Sequence, residues 1–278
     1  MVEALTIGNE EIVSWPFHEL NSSRFTMPND IFWPLPPDGL SLGASDVHVW
    51  AAHLDPDPDA LARLANILST EEQARASRFR FERHRNRFII ARAVLRSLVA
   101  TYLDCAPDEL QFEYGPNGKP ALATPFAESG LSFNLAHSED LALVAVTQLG
   151  PIGVDVEKIR PVSDADKLVA RFFSARETAL FQSLPAAQKN NAFFNLWTRK
   201  EAWLKATGEG IAHSLNRVEV TFLPNEASRL IALPEGSGPS EAWILRELLP
   251  GRGFVGAVAL PNLQCSICNF QFSISELL

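Results

Sequence analysis

The sequence predicts an α+β chain built from two comparable halves. Two observations carry that expectation. Helical periodicity followed by short alternating strands occupies the chain up to about residue 150, and the same order returns after it. Gly150-Pro151 marks a turn where the second round begins. The expected organisation is an irregular arm over residues 1–45, a first subdomain over 46–150 and a second over 151–278.

Taken in order, Trp33-Pro-Leu-Pro-Pro-Asp-Gly39 reads as irregular chain with a few apolar anchors, and Asp46–His53 alternates as a strand. A helix is expected over about 59–68. Ser69-Thr-Glu-Glu72 is a helix start, and Phe79, Phe88, Ile89, Val94, Leu95, Leu98, Val99 and Tyr102 give 73–103 a helical period. Strands are expected at 111–114, 131–135, 141–147 and 153–158, with a tight turn at Gly115–Pro120. Helices follow at about 164–172, 175–183 and 187–207, the last stopped by Gly208-Glu-Gly210. From Val218 to Ile274 the chain reads mainly as strands.

The composition narrows the function. Of 278 residues, 46% are hydrophobic and 21% charged, which is ample for a core. A formal net charge of −9 disfavours wholesale binding to nucleic acid or an anionic membrane, so an anionic ligand must be met by a local basic patch. No apolar run approaches the ~20 residues of a spanning helix, and the N-terminus lacks a basic start and an apolar run. With three cysteines only, a reducing compartment, the cytoplasm, is expected. Cys265 and Cys268 stand at i and i+3 in a strand-like run, facing opposite ways, and read as small hydrophobes rather than metal ligands.

Two segments carry the chemistry. In Gly153-Val-Asp155-Val-Glu157-Lys158, strand alternation puts Asp155 and Glu157 on one face and Val154 and Val156 in the core. Two carboxylates ~4 Å apart repel by roughly 4 kcal/mol at an effective dielectric near 20, and a cation between them turns that cost into binding. In Trp197-Thr-Arg-Lys-Glu201-Ala-Trp-Leu-Lys205, Trp197, Glu201 and Lys205 form one helical stripe. Glu201 and Lys205 also fit an ordinary i,i+4 pair, which leaves the surrounding tryptophans unexplained. An all-oxygen donor set without convergent His or Cys favours Mg²⁺ or Mn²⁺ over zinc. Residues 73–96 hold eight arginines (75, 78, 80, 83, 85, 87, 92 and 96) against Glu82, a local patch suited to an anion. Lys119 lies on a stiff turn and His137 between two strands. No Walker loop, Gly-x-Gly-x-x-Gly or serine elbow is present.

The ordered set Asn117-Gly-Lys119-Pro120, Phe133-Asn-Leu-Ala-His137-Ser138, Gly153–Lys158, Arg171-Phe-Phe-Ser-Ala-Arg-Glu177 and Phe194–Lys205 resembles the 4′-phosphopantetheinyl transferases of the large, surfactin-synthetase-activating type, over roughly residues 68–222. The resemblance implies two similar subdomains related by a pseudo-twofold axis, a monomer, and coenzyme A bound between the halves. By it, Asp155, Glu157 and Glu201 bind Mg²⁺, Lys205 contacts the diphosphate or the leaving phosphate, and Arg87, Lys119 and His137, with Arg78, hold coenzyme A. The implied partner is an apo acyl or peptidyl carrier protein of fatty-acid, polyketide or nonribosomal peptide synthesis. Its serine attacks the phosphopantetheine-side phosphorus and releases 3′,5′-ADP, with Glu201 and Lys205 catalytic and either Glu201 or a metal-bound water as base. The family usually has Ser where this chain has Ala136, and the first 45 residues are extra. Without the resemblance, the same residues also fit another magnesium enzyme acting on a nucleotide diphosphate, a non-catalytic binder, or an acidic scaffold.

Overall fold

Three runs of buried hydrophobics organise the chain, and the computed structural model shows how the elements divide among them. It describes residues 33–55, 58–210, 215–224 and 226–272; most of the expected arm and the last six residues lie outside these. Strand β1 (Asp46–His53) leads into helices α1 (Pro58–Ile67), α2 (Thr70–Ser77) and α3 (Glu82–Leu103). The hairpin β2 (Phe112–Tyr114) and β3 (Pro120–Leu122) precedes β4 (Ser132–Ser138) and β5 (Leu141–Thr147). Then come β6 (Gly153–Lys158), α4 (Ala165–Phe172), α5 (Ala175–Gln182) and α6 (Ala186–Thr207). The short pair β7 (Glu219–Val220) and β8 (Leu230–Ala232), then β9 (Trp243–Leu248), β10 (Phe254–Pro261) and β11 (Ser266–Gln271), complete the described chain.

One sheet has the order β11-β1-β5-β4 and the other β6-β10-β9. Their inner faces share a core: Val47, Val49 and Ala51 of β1 and Leu141, Leu143 and Ala145 of β5 meet Val154 and Val156 of β6 and Val258 and Leu260 of β10. On its outer face the first sheet packs Trp50, Val144 and Val146 against Ile90, Val94 and Leu98 of α3. The second packs Val255, Ala257 and Ala259 of β10 against Leu196, Trp203 and Ala206 of α6. This is why β5 reads Leu-Ala-Leu-Val-Ala-Val without polar alternation: both its faces are covered. Trp33 anchors the start of the described chain in the shared core.

Each half contains the same helical device. An eight-residue helix, α2 or α5, opens with a capping box, Ser69/Glu72 or Ser174/Glu177. A 22-residue helix, α3 or α6, follows and ends on a left-handed residue, Asp104 (φ 51) or Gly208 (φ 76). The buried capping glutamate then takes a cation from the long helix. Glu72 receives Arg92 and Arg96, and Glu177 receives Lys200.

Two expectations are revised. The helical period over 73–103 is interrupted at residues 78–81, between α2 and α3. In one straight helix residues 72 and 92 would stand ~30 Å apart; the break folds α2 back so that Glu72 reaches Arg92. Second, β11, in the expected second half, pairs parallel with β1 and lends Phe270 to the first core. Cys265 packs against the shared core and Cys268 against the first, on opposite sides as alternation requires.

Candidate active site

A glycine sets the geometry. A Cβ built on Gly153 would lie 2.0 Å from the Ala202 carbonyl oxygen and 2.3 Å from the Ala206 amide nitrogen. The backbone of α6 therefore rests directly on the start of β6, which no other residue permits. Gly153, Asp155 and Glu157 alternate onto this face, while Val154 and Val156 fill the shared core behind it. The crossing places Glu201 and Lys205, on the same helix stripe, beside the strand's acids.

Lys205 does not pair with Glu201. Its Nζ donates to Asp155 Oδ1 at 2.6 Å, across the strand–helix crossing. Asp155 and Glu201 are buried, 6% and 3% exposed, and each keeps an unpartnered oxygen, Oδ2 and Oε1 respectively. Burial pushes the Glu201 carboxyl up to about 7, helped by the negative charges of Asp155 and Glu157 and opposed by Lys205. Burial also lifts Asp155 to about 6, against the pull of Lys205. Glu157 is held from β4, where the Ser138 hydroxyl donates to Oε2 at 2.6 Å and accepts from the Lys158 amide at 3.2 Å. The Asn134 side-chain oxygen likewise accepts from the Val154 amide at 2.9 Å, so β4 lies along β6 through side chains.

Positive groups gather on the other side of His137. His137 keeps part of its surface open to solvent, and desolvation of the rest lowers its pKa first, followed by the charges of Lys205 and Arg87 and by His84. Arg87, only 8% exposed, is aimed by Glu139 (Nη1 to Oε2, 3.1 Å) and Asp55 (3.5 Å). Glu139 also receives Arg83. His137 thus faces a cationic cluster, and the acid pair lies within reach of the same Lys205. Ala136, buried in the shared core, points to the opposite face of β4 from His137, so a hydroxyl there would not meet a ligand of the imidazole.

The eight arginines divide. Arg92 and Arg96 are core residues that share the Glu72 carboxylate, and Arg85 pairs on the surface with Glu82. Arg78 is exposed just past the end of α2. Lys119 is turned inward: its Nζ donates to the carbonyls of Ile152 at 2.9 Å and Ala206 at 3.0 Å. Sequence reasoning did not single out Ser138, His84, Glu139 or Gly153. Only Gly153 left a signal, a glycine opening an otherwise apolar strand.

The donor set suits a hard divalent cation. Two buried carboxylate oxygens have no partner, and all the candidate ligands are oxygens. Among the described residues no three His, Cys, Asp or Glu side chains already stand gathered in metal-holding geometry. Lys205 supplies positive charge to Asp155, and Ser138 holds Glu157.

Family models match along nearly the whole two-half region. A model described as "4'-phosphopantetheinyl transferase, N-terminal" matches residues 52–149, and one described as "4'-phosphopantetheinyl transferase superfamily" matches 151–259. HetI of Nostoc sp., a 4'-phosphopantetheinyl transferase, is 46% identical over 228 residues, covering 82% of this chain and 93% of that one. The 4'-phosphopantetheinyl transferase psf-1 of Bacillus pumilus is 33% identical over 196 residues, covering 69% and 81%. The 4'-phosphopantetheinyl transferase Sfp of Bacillus subtilis is 26% identical over 178 residues, covering 64% and 76%.

Proposed function

The chain belongs to the 4′-phosphopantetheinyl transferase family, and from that premise we propose that Asp155, Glu157 and Glu201 hold a magnesium ion against the diphosphate of coenzyme A while Lys205 and the His137 cluster grip its phosphates. The family reaction moves the 4′-phosphopantetheine arm of coenzyme A to a carrier protein. The observation that supports the site best is the pair of unpartnered, buried oxygens on Asp155 and Glu201, flanked by the Lys205 ammonium.

The serine hydroxyl of the apo carrier attacks the phosphopantetheine-side phosphorus; the phosphorus–oxygen bond to the nucleotide breaks, and 3′,5′-ADP leaves. When bound, magnesium would supply positive charge to the diphosphate as charge builds on it. Glu201, brought beside Asp155 and Glu157 by the crossing of α6 over β6, takes the serine proton. Lys205 turns its ammonium from Asp155 to the leaving oxygen. Arg87, held by Glu139 and Asp55, and His137 fix the nucleotide end. Ser138 keeps Glu157 aimed at the site.

The acceptor is an acyl or peptidyl carrier protein of fatty-acid, polyketide or nonribosomal peptide synthesis, and the enzyme works as a monomer in the cytoplasm. No helix among the described residues is long and apolar enough to cross a membrane. Incubation with coenzyme A, Mg²⁺ and a panel of apo carriers tests the reading by intact mass. The expected product carries one phosphopantetheine arm. Release of nucleotide with every carrier unmodified would show a different reaction.

A further inference from the structure

The turn between β2 and β3 belongs to the first half, yet it closes on the second. Gly118 (φ +79) tightens it, and the Gly115 amide donates to the Lys119 carbonyl at 3.0 Å. Out of this turn Lys119 sends its Nζ to two carbonyls from separate elements: Ile152, which immediately precedes β6, and Ala206, in the last turn of α6. Asn117 donates from Nδ2 to the Gly208 carbonyl at 2.8 Å, and a Cβ on Gly210 would lie 2.9 Å from Asn117 Oδ1. The end of α6 has carbonyls without helical partners and the negative pole of the helix dipole, so an ammonium and an amide there satisfy both. Burial holds the Lys119 pKa down to about 8.

The place of these bonds matters more than their number. The backbones of β6 and α6 touch at Gly153, against Ala202 and Ala206. Asp155 and Glu157 lie two and four residues beyond that contact on the strand; Glu201 and Lys205 flank it on the helix. A tether spanning Ile152 and Ala206 therefore fixes how far the helix can slide along the strand, and with it the separation of the acids.

Resting on the transferase reading above, we propose that Lys119 is a positioning residue that rivets the start of β6 to the end of α6 from the opposite half, and that it acts on turnover through this register rather than by holding coenzyme A. Two of its three N–H bonds are committed to backbone, one to the residue that leads into β6 and one to the last turn of α6, the two elements that carry Asp155, Glu157, Glu201 and Lys205.

The test uses the full chain with Lys119→Met and Lys119→Arg, reading kcat, KM and the calorimetric Kd for coenzyme A. A shift of the acids by ~1 Å costs about 100-fold in rate, so Lys119→Met is expected to lower kcat by about that factor while the Kd moves by less than about threefold. Lys119→Arg, which keeps donors and charge, recovers most of kcat. A weaker coenzyme A Kd with kcat intact at saturation would overturn the proposal in favour of a phosphate contact. A lower melting temperature with kcat and Kd both intact would overturn it in favour of a merely structural tether. If Lys119→Met fails to fold, Asn117→Ala carries the test: lowered kcat at unchanged Kd supports the rivet, and unchanged kcat overturns it. Amide exchange separates this from a failure of the transferase reading. With no carrier modified by the wild type, faster exchange in the last turn of α6 and at the start of β6 in Lys119→Met still supports the tether, and unchanged exchange refutes it.

Discussion

The long helices α3 and α6 perform one structural task in two halves and diverge at a single step. Each is 22 residues long, each follows a capping-box helix, and each sends a cation to that box's buried glutamate. In α3 the cation is Arg96 and the next residue is Ser97; in α6 the cation is Lys200 and the next residue is Glu201. Ser97 and Glu201 are both buried with an unpartnered side-chain oxygen, but only the second is an acid. The strand against α6 offers Asp155 and Glu157, where β1, beneath α3, offers Trp50 to the core. The second half thus carries acids on a helical frame that the first half uses for packing. The first half's contribution is the Arg87 guanidinium on α3, with the imidazole of His137 on β4 beside it. Opposite charges on two similar helical frames set acids on one side of Lys205 and cations on the other, the arrangement on which the proposed magnesium and phosphate contacts rest.

Removing the divergent acid should have the largest effect. Glu201→Gln is expected to lower kcat about 10⁴-fold, on the order of 5 kcal/mol, at nearly unchanged coenzyme A affinity, as measured by carrier mass shift alongside calorimetry. Attacking the shared frame should hurt both halves alike. Glu72→Ala strands two buried arginines and Glu177→Ala a fully buried lysine, so each should cost about 3–5 kcal/mol in denaturant unfolding. A large asymmetry between the two would show that the halves are not equivalent supports. Gly153→Ala should cost about 3 kcal/mol and depress turnover, since the new methyl meets helix backbone rather than a flexible side chain.

The smallest effect is one of pH. The Glu201 carboxyl is lifted from its ordinary 4.5 to about 7, chiefly by burial. A carboxyl with a raised folded pKa binds more protons folded than unfolded, so its contribution to stability falls as pH rises between those values. Glutamine cannot ionise. The ligand-free Glu201→Gln protein should therefore gain on the wild type by about 2 kcal/mol between about pH 5 and pH 7.5, in parallel urea titrations. A constant difference across that range would mean that Glu201 is not buried as an acid.

Much of this was legible in the letters because it is local. Alternation fixes that Asp155 and Glu157 share a face, and the 3.6 period fixes the stripe of Trp197, Glu201 and Lys205. What could not be read is partner choice across the chain. Lys205 chooses Asp155, 50 positions away, over its helical neighbour Glu201. Arg92 and Arg96 look like surface cations until α2 folds back and delivers Glu72. Lys119 looks like a free cation on a turn, yet its ammonium donates to two carbonyls of the other half. The internal repeat shows in the letters only as the Ser-x-x-Glu that opens each short helix, while its buried cation is Arg in one half and Lys in the other. The parallel pairing of β11 with β1 was hidden for a similar reason: a strand's pattern tells which face is buried, not which sheet it joins.

The proposed transfer chemistry requires strand β6 and helix α6 to offer their oxygens to one cation. Manganese titration followed by electron paramagnetic resonance, in the presence of coenzyme A, reads this directly. One ion bound per wild-type chain, with binding weakened by at least about tenfold in both Asp155→Asn and Glu201→Gln, is the predicted result. Wild-type manganese affinity in both variants would contradict it.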